Sequence, residues 1–379
     1  MPRKIVHFSV CLALLLVFAC ESTPSRNKGK NRVPDNNPSE TDNRENHVPD
    51  NNPSETDNNK TSVLLLEKEF NEAREAEDFE KAYFLLLELI AQRDVFKAWD
   101  YYQITGLCLE RDLYGNSKMS HDNILDAARH FEEALHQHSN SDTLHFAMAQ
   151  YLFGLMTLEE RISHPYGAMK ATGERAMESI KNALSHGAQP SECHYVEGNI
   201  YRFQNNFLDA IEAYRLSVED DPLFILAYEA GFNVSMELDY PDQAKSWLKE
   251  GIERNPSSYE LANLLAHHLL DEGKQQKAVD VMEAYLKRNS KPARKALYDY
   301  GYFLEKNKDF KQAITSYQKA IDTDSLNLDA YYRLGNLYER ESEWKKAYQT
   351  FSELLKHLPL NHAYRKEIRR TLETLERKL

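Results

Sequence analysis

The chain has 379 residues, with 60 acidic side chains against 47 basic ones and a formal net charge of −13. Nucleic acid and anionic lipid surfaces repel so acidic a chain, so neither is expected as a partner. With only 13 glycines and abundant Ala, Leu, Glu, Lys and Tyr, a β-sandwich or a glycine-rich phosphate loop is disfavoured and helix is favoured.

The first segment, MPRKIVHFSVCLALLLVFAC, opens on Arg3 and Lys4 and continues as an apolar run from Ile5 to Phe18, too short to span a bilayer. This pattern predicts a signal peptide over residues 1–19. Its end, LVFAC, resembles the lipobox of bacterial lipoproteins, with Val17 and Ala19 preceding Cys20. The resemblance implies cleavage before Cys20, acylation of that cysteine and a lipid-anchored protein of the bacterial envelope, facing the periplasm or the cell surface. Each acyl methylene buried in the bilayer adds about 0.8 kcal/mol to such an anchor. Ordinary cleavage after Ala19, releasing a soluble protein, is the alternative.

After Cys20 a tether is expected to residue 61. The run VPDNNPSETDN stands at Val33–Asn43 and again at Val48–Asn58. Its Pro, Asn, Asp, Ser and Glu offer too little apolar surface to offset the entropy of ordering. A flexible chain of this length reaches roughly 35 Å, enough to lift a folded body off a membrane.

From residue 62 the apolar spacing becomes helical. Phe79, Ala82, Leu86 and Leu89 set a pattern that returns as Phe207, Ala210, Tyr214 and Ser217, as Phe310, Ala313, Tyr317 and Ala320, and as Trp344, Ala347, Phe351 and Leu354. Upstream the period is stretched, and residues 62–190 are read as three irregular units near 62–96, 97–140 and 141–190. The turn-rich runs at 111–123 and 157–167 are expected to hold the surplus. Residues 191–361 are read as five units, of which those at about 224–258 and 259–293 are looser than the rest. The last stretch, 362–379, sets Tyr364, Ile368, Leu372, Leu375 and Leu379 on one face, as a capping helix would.

The regular units resemble the tetratricopeptide repeat family, whose period is about 34 residues. In the last copy Tyr331, Leu334, Gly335, Tyr338, Ala347, Phe351, Leu354 and Pro359 stand at the family's signature positions. Gly198, Tyr201, Ala210, Tyr214 and Pro222 do so in an earlier one. The resemblance implies an all-α solenoid of helical hairpins, a right-handed superhelix of seven or eight units. Small residues such as Gly335 and Ala347 let paired helices approach, and stacking buries faces that one hairpin alone leaves exposed.

Catalytic motifs are missing: there is no P-loop, GxSxG or HExxH. His121, His130, His136 and His138 diverge around their helix, so they are read as solvent-facing or loop histidines, as are His267 and His268. Cys108 and Cys193 are expected as buried thiols. Neither an enzyme, a metal nor a cofactor is expected.

In the family, the first helices of the hairpins line a concave groove that holds a protein or an extended peptide. The matching positions here are Tyr195, Asn199, Tyr228, Phe232, Asn263, His267, Tyr298, Tyr302, Tyr332 and Asn336. Tyrosine offers large contact area and one hydrogen bond at small entropic cost, which suits peptide capture; the same rings could instead pack on adjacent repeats. Tyrosine where the chaperone-type carboxylate clamp has lysine argues against a free C-terminal carboxylate as ligand. The expected function is a membrane-anchored scaffold or adaptor, with a transport-associated module for a small ligand or glycan as the alternative.

Overall fold

The computed structural model describes residues 55–93, 95–110, 117–161 and 166–379, and among them every regular element is a helix. The predicted signal peptide, Cys20 and most of the predicted tether lie outside the described residues. The chain divides into two compact units, with the boundary between Gln189 and Pro190.

The first unit contains α1 (Glu55–Glu75), α2 (Phe79–Gln92), α3 (Ala98–Leu109), α4 (His121–Gln137), α5 (Asp142–Arg161) and α6 (Tyr166–Ser185). Helix α1 begins inside the stretch 20–61 that sequence reasoning leaves structureless. Acidic residues suit a helix start because they face its positive end, and behind them Leu66, Phe70 and Ala73 are buried. Asp78 caps α2 by accepting the Lys81 amide at 3.2 Å. Ala82, Leu86 and Leu89, the apolar stripe expected of this helix, are buried.

Helix α5 runs unbroken through Arg161 and α6 begins at Tyr166, so both ends of the break expected at 157–167 are helical. Thr157–Arg161 reads TLEER, whose Leu, Glu and Arg are good helix formers. Likewise α4 starts at His121, inside the predicted loop. Much of the surplus length therefore sits in α5 and α6, each of 20 residues. Phe131 of α4 stacks on Tyr151 of α5 at 5.2 Å, and the Tyr151 hydroxyl donates to the Ile124 carbonyl at 2.5 Å. Helix α3 lies against α5, with the Thr105 hydroxyl 3.2 Å from the Ala147 carbonyl.

The second unit stacks five hairpins: α7 (Pro190–Phe203) with α8 (Phe207–Asp220), α9 (Ile225–Glu237) with α10 (Pro241–Arg254), α11 (Tyr259–Asp271) with α12 (Gln275–Arg288), α13 (Ala296–Lys306) with α14 (Phe310–Thr323), and α15 (Leu328–Arg340) with α16 (Trp344–His357). Each second helix also packs on the first helix of the next hairpin, so one core runs from Ala210 to Leu337 and a second, around Phe351, joins the last hairpin to the final helix. This is the tetratricopeptide-type solenoid architecture.

One contact recurs in four hairpins and fixes the helix separation. A methyl group built on Gly198, Gly231, Gly301 or Gly335 would lie 2.5, 2.4, 2.8 and 2.7 Å from the rings of Tyr214, Trp247, Tyr317 and Phe351 respectively. The first helix must be bare at that point for the ring of the second helix to lie flat against its backbone.

A last helix, α17 (Arg365–Glu376), packs on α16 and buries Ile368 and Leu375. Its predicted stripe is shorter than expected. Tyr364 and Leu379 are exposed, because the helix begins after the first and ends before the second.

Candidate partner-binding face

All the residues predicted to line the groove lie on the first helices α7, α9, α11, α13 and α15 of the second unit. The tyrosines share a packing role that sequence alone leaves open. Tyr195, Tyr228, Tyr298 and Tyr332 each set their ring near the aromatic of their own hairpin, Tyr214, Trp247, Tyr317 and Phe351, at 6.0, 6.3, 5.6 and 6.3 Å. Glycine, aromatic and tyrosine thus form one repeated sandwich, and only what the sandwich leaves uncovered can meet a partner.

Two of the predicted residues are lost to the core. Tyr228 is 1% exposed, and its hydroxyl donates to the Pro222 carbonyl at 3.2 Å. Phe232 is 7% exposed and meets the ring of His268 edge-on. His268 is itself buried, contrary to the solvent-facing reading, and burial lowers its pKa. The Trp247 ring against Tyr228 and the His268 ring of α11 against Phe232 close over this part of α9.

The others keep some access. Tyr195 is half-buried against Phe224, and Asn199 accepts a hydrogen bond from the Tyr214 hydroxyl at 2.8 Å. Asn263 is half-buried, and its side-chain oxygen meets no donor among the described residues. His267 sits between the rings of Tyr302 and Phe303. Tyr332, at 37% exposure, and Asn336 are open to solvent.

Sequence reasoning missed the residues that follow the tyrosines. Arg333 donates to the Tyr298 hydroxyl at 2.9 Å and to Glu305 at 3.2 Å, and lies over the Tyr302 ring at 4.8 Å. Asp299 accepts a hydrogen bond from the Tyr259 hydroxyl, yet burial raises its pKa. Among the described residues Glu229 is in no ion pair, and the charge acting on it is that of Glu260. The signal was present as Tyr228-Glu229, Tyr298-Asp299 and Tyr332-Arg333, a charge placed directly after three of the four tyrosines.

Burial, and then the charge of Glu260, push the Glu229 carboxyl up to about 7 from an ordinary 4.5. The folded chain therefore keeps a proton that the unfolded chain releases. Its contribution to stability is complete below about pH 4.5 and is lost as pH rises to about 7. Glu229→Gln cannot ionise. The variant is expected to gain about 1–3 kcal/mol relative to the wild type between pH 5 and pH 8, read from urea unfolding at both values. Parallel stability–pH curves for the two proteins would remove Glu229 as the titrating group.

Comparison with known proteins agrees with this architecture. Residues 304–341 match the TPR repeat family and residues 329–360 the tetratricopeptide repeat family. No curated protein sequence matches the chain. Among solved structures, yeast Tom70 is similar over 85% of this chain and 86% of its own, at 16% identity and a TM-score of 0.41. YrrB, described as a TPR protein with an unusual peptide-binding site, is similar over 51% of this chain and 99% of its own, at 17% identity and a TM-score of 0.39. MamA from Desulfovibrio magneticus RS-1 is similar over 45% and 96%, at 15% identity and a TM-score of 0.36. Likeness this distant says nothing of what the present chain binds.

Proposed function

We propose that this chain, whose residues 304–360 carry tetratricopeptide repeats, is a non-catalytic scaffold that holds a protein partner against the first helices of its second unit and is tethered to a membrane of the bacterial envelope. The observation that carries the binding role is the row of partly uncovered Tyr195, Tyr298, Tyr302 and Tyr332, interleaved with Asn199, Asn263 and Asn336 on one set of helices. Aromatic edges provide contact area, and side-chain amides can pair with the backbone of an extended segment.

The tethering role is supported by the short apolar run before Cys20, its LVFAC ending and the polar spacer behind it. Among the described residues no helix is long and apolar enough to cross a membrane, so attachment through those helices has no support.

A photo-crosslinking residue at Tyr332 or at Asn336, in the intact envelope, is expected to capture the same protein, while one at Lys345 on α16 is not. Capture from Lys345 alone would place the interface elsewhere. The anchor is checked separately: palmitate labelling is expected in the wild type and abolished in Cys20→Ser. Equal labelling of both would end the lipoprotein reading and leave the binding face untouched.

A further inference from the structure

Charge is divided unevenly between the two sets of helices in the second unit. The second helices α8, α10, α12, α14 and α16 carry 11 carboxylates and 12 Lys or Arg, close to balance. The first helices α7, α9, α11, α13 and α15 carry 10 carboxylates and only 4 Lys or Arg. Those 4 are engaged within the fold. Arg202 pairs with Glu237 and Arg333 with Glu305, while Lys306 and Arg340 lie over the rings of Tyr302 and Phe310 at 5.2 and 3.7 Å. The helices proposed to hold a partner are therefore acidic, and the other set is not.

Three of the surplus carboxylates come from successive first helices and stand together. Glu229 on α9 feels the charge of Glu260 on α11. Asp299 on α13 accepts from the hydroxyl of Tyr259, the residue beside Glu260. None of the three is in an ion pair among the described residues, although the charges of His267 and Lys295 reach Asp299. Asn263, one turn beyond Glu260, adds a buried side-chain oxygen that meets no donor. Carboxylates and an amide oxygen all accept, so the group they lack is a donor, and the carboxylates favour one that carries positive charge. Burial raises the pKa of both Glu229 and Asp299, the direction expected of carboxylates short of a cation.

We propose that the partner segment held against the first helices is basic, and that its Lys or Arg side chains seat among Glu229, Glu260 and Asp299 and donate to Asn263. This rests on the reading of the first helices as the partner-binding face, and it names the chemistry of what they bind. Complementary charge of this kind sets the register of an extended segment and rejects acidic ones. The aromatic edges of Tyr195, Tyr298 and Tyr332 supply contact area whatever the sequence of the partner, so the selectivity lies with the carboxylates.

The test titrates the whole chain with an alternating Lys-Ala peptide and its Gln-Ala and Glu-Ala counterparts, each ending in a photoreactive benzoylphenylalanine. In an extended peptide the alternation sets every Lys on one side. Physiological salt is used, where attraction to the net charge is screened beyond about 8 Å. The Lys peptide is expected to bind about tenfold tighter than the Gln peptide, with photoproducts on α9, α11 and α13, and the Glu peptide weakest of all. Glu260→Lys, at an exposed position, should keep the unfolding midpoint and weaken the Lys peptide about tenfold. Glu212→Lys makes the same change of net charge on the exposed side of α8, and should weaken it less than about twofold. Equal losses in the two variants would overturn the proposal, because the attraction would then be to the net charge. So would spermidine binding as tightly as the Lys peptide, since a small polycation and not a protein segment would then fill the site. If the Gln peptide binds as tightly as the Lys peptide and its photoproducts still map to the first helices, the basic partner falls and the binding face stands. Photoproducts confined to second helices would remove both.

Discussion

Trp247→Ala is expected to cost about 3–5 kcal/mol, near the top of the range for one core truncation. Trp247 is fully buried, lies against the backbone of α9 at Gly231, and carries the Arg215 guanidinium 3.7 Å above its ring. Gly231→Ala attacks the same contact from the other side. Its methyl would sit 2.4 Å from a ring flanked by Arg215 and Tyr228, so overpacking costs about 1–3 kcal/mol, partly offset by about 1 kcal/mol of helix propensity. The decisive experiment is the double mutant. Once Trp247 is alanine the methyl has room, and Gly231→Ala should become stabilising by about 1 kcal/mol. Urea unfolding of the four proteins gives the cycle. If Gly231→Ala costs the same in both backgrounds, the indole ring is not what excludes a side chain at that position.

That contact was legible in the sequence because it repeats. Gly198 and Tyr214, Gly301 and Tyr317, and Gly335 and Phe351 keep the same separation as Gly231 and Trp247, and a close helix approach needs a small residue facing a large one. The fate of the tyrosines was legible only in part. Periodicity puts Tyr195, Tyr228, Tyr298 and Tyr332 on one wall, but the ring that covers each belongs to the other helix of the hairpin. How completely it covers depends on whether that ring is Tyr, Trp or Phe. Tyr228 faces the bulkiest of them and is buried, whereas Tyr332 faces Phe351 and remains 37% exposed. Upstream, α5 runs on through TLEER and α6 runs through Gly167 and Gly173, so turn residues were a poor guide to where the extra length lies. Nor does a local pattern announce Arg93, since its partners come from two other helices.

Arg93→Met is the second substitution expected to cost about 3–5 kcal/mol, for a different reason. Arg93 stands where α2 ends, Asp100 in the first turn of α3, and Glu67 on α1. The guanidinium pairs with Asp100 and donates to Glu67 at 2.7 Å, joining three helices through one planar cation. Burial works against its charge, but the hydrogen bonds to the two carboxylates prevail and hold its pKa above the usual arginine range. Asp100 is only 3% exposed, so removing the cation strands a carboxylate that water cannot reach. The loss should be concentrated there, as faster amide hydrogen exchange in α1, α2 and α3. If a stranded charge is the cause, removing that charge must repair most of the damage. Arg93→Met combined with Asp100→Leu is expected to recover at least about 2 kcal/mol over Arg93→Met alone, because an apolar pair of similar volume often matches a buried ion pair in stability. A double variant as unstable as Arg93→Met would show that lost packing of the arginine stem, and not the desolvated carboxylate, accounts for the effect.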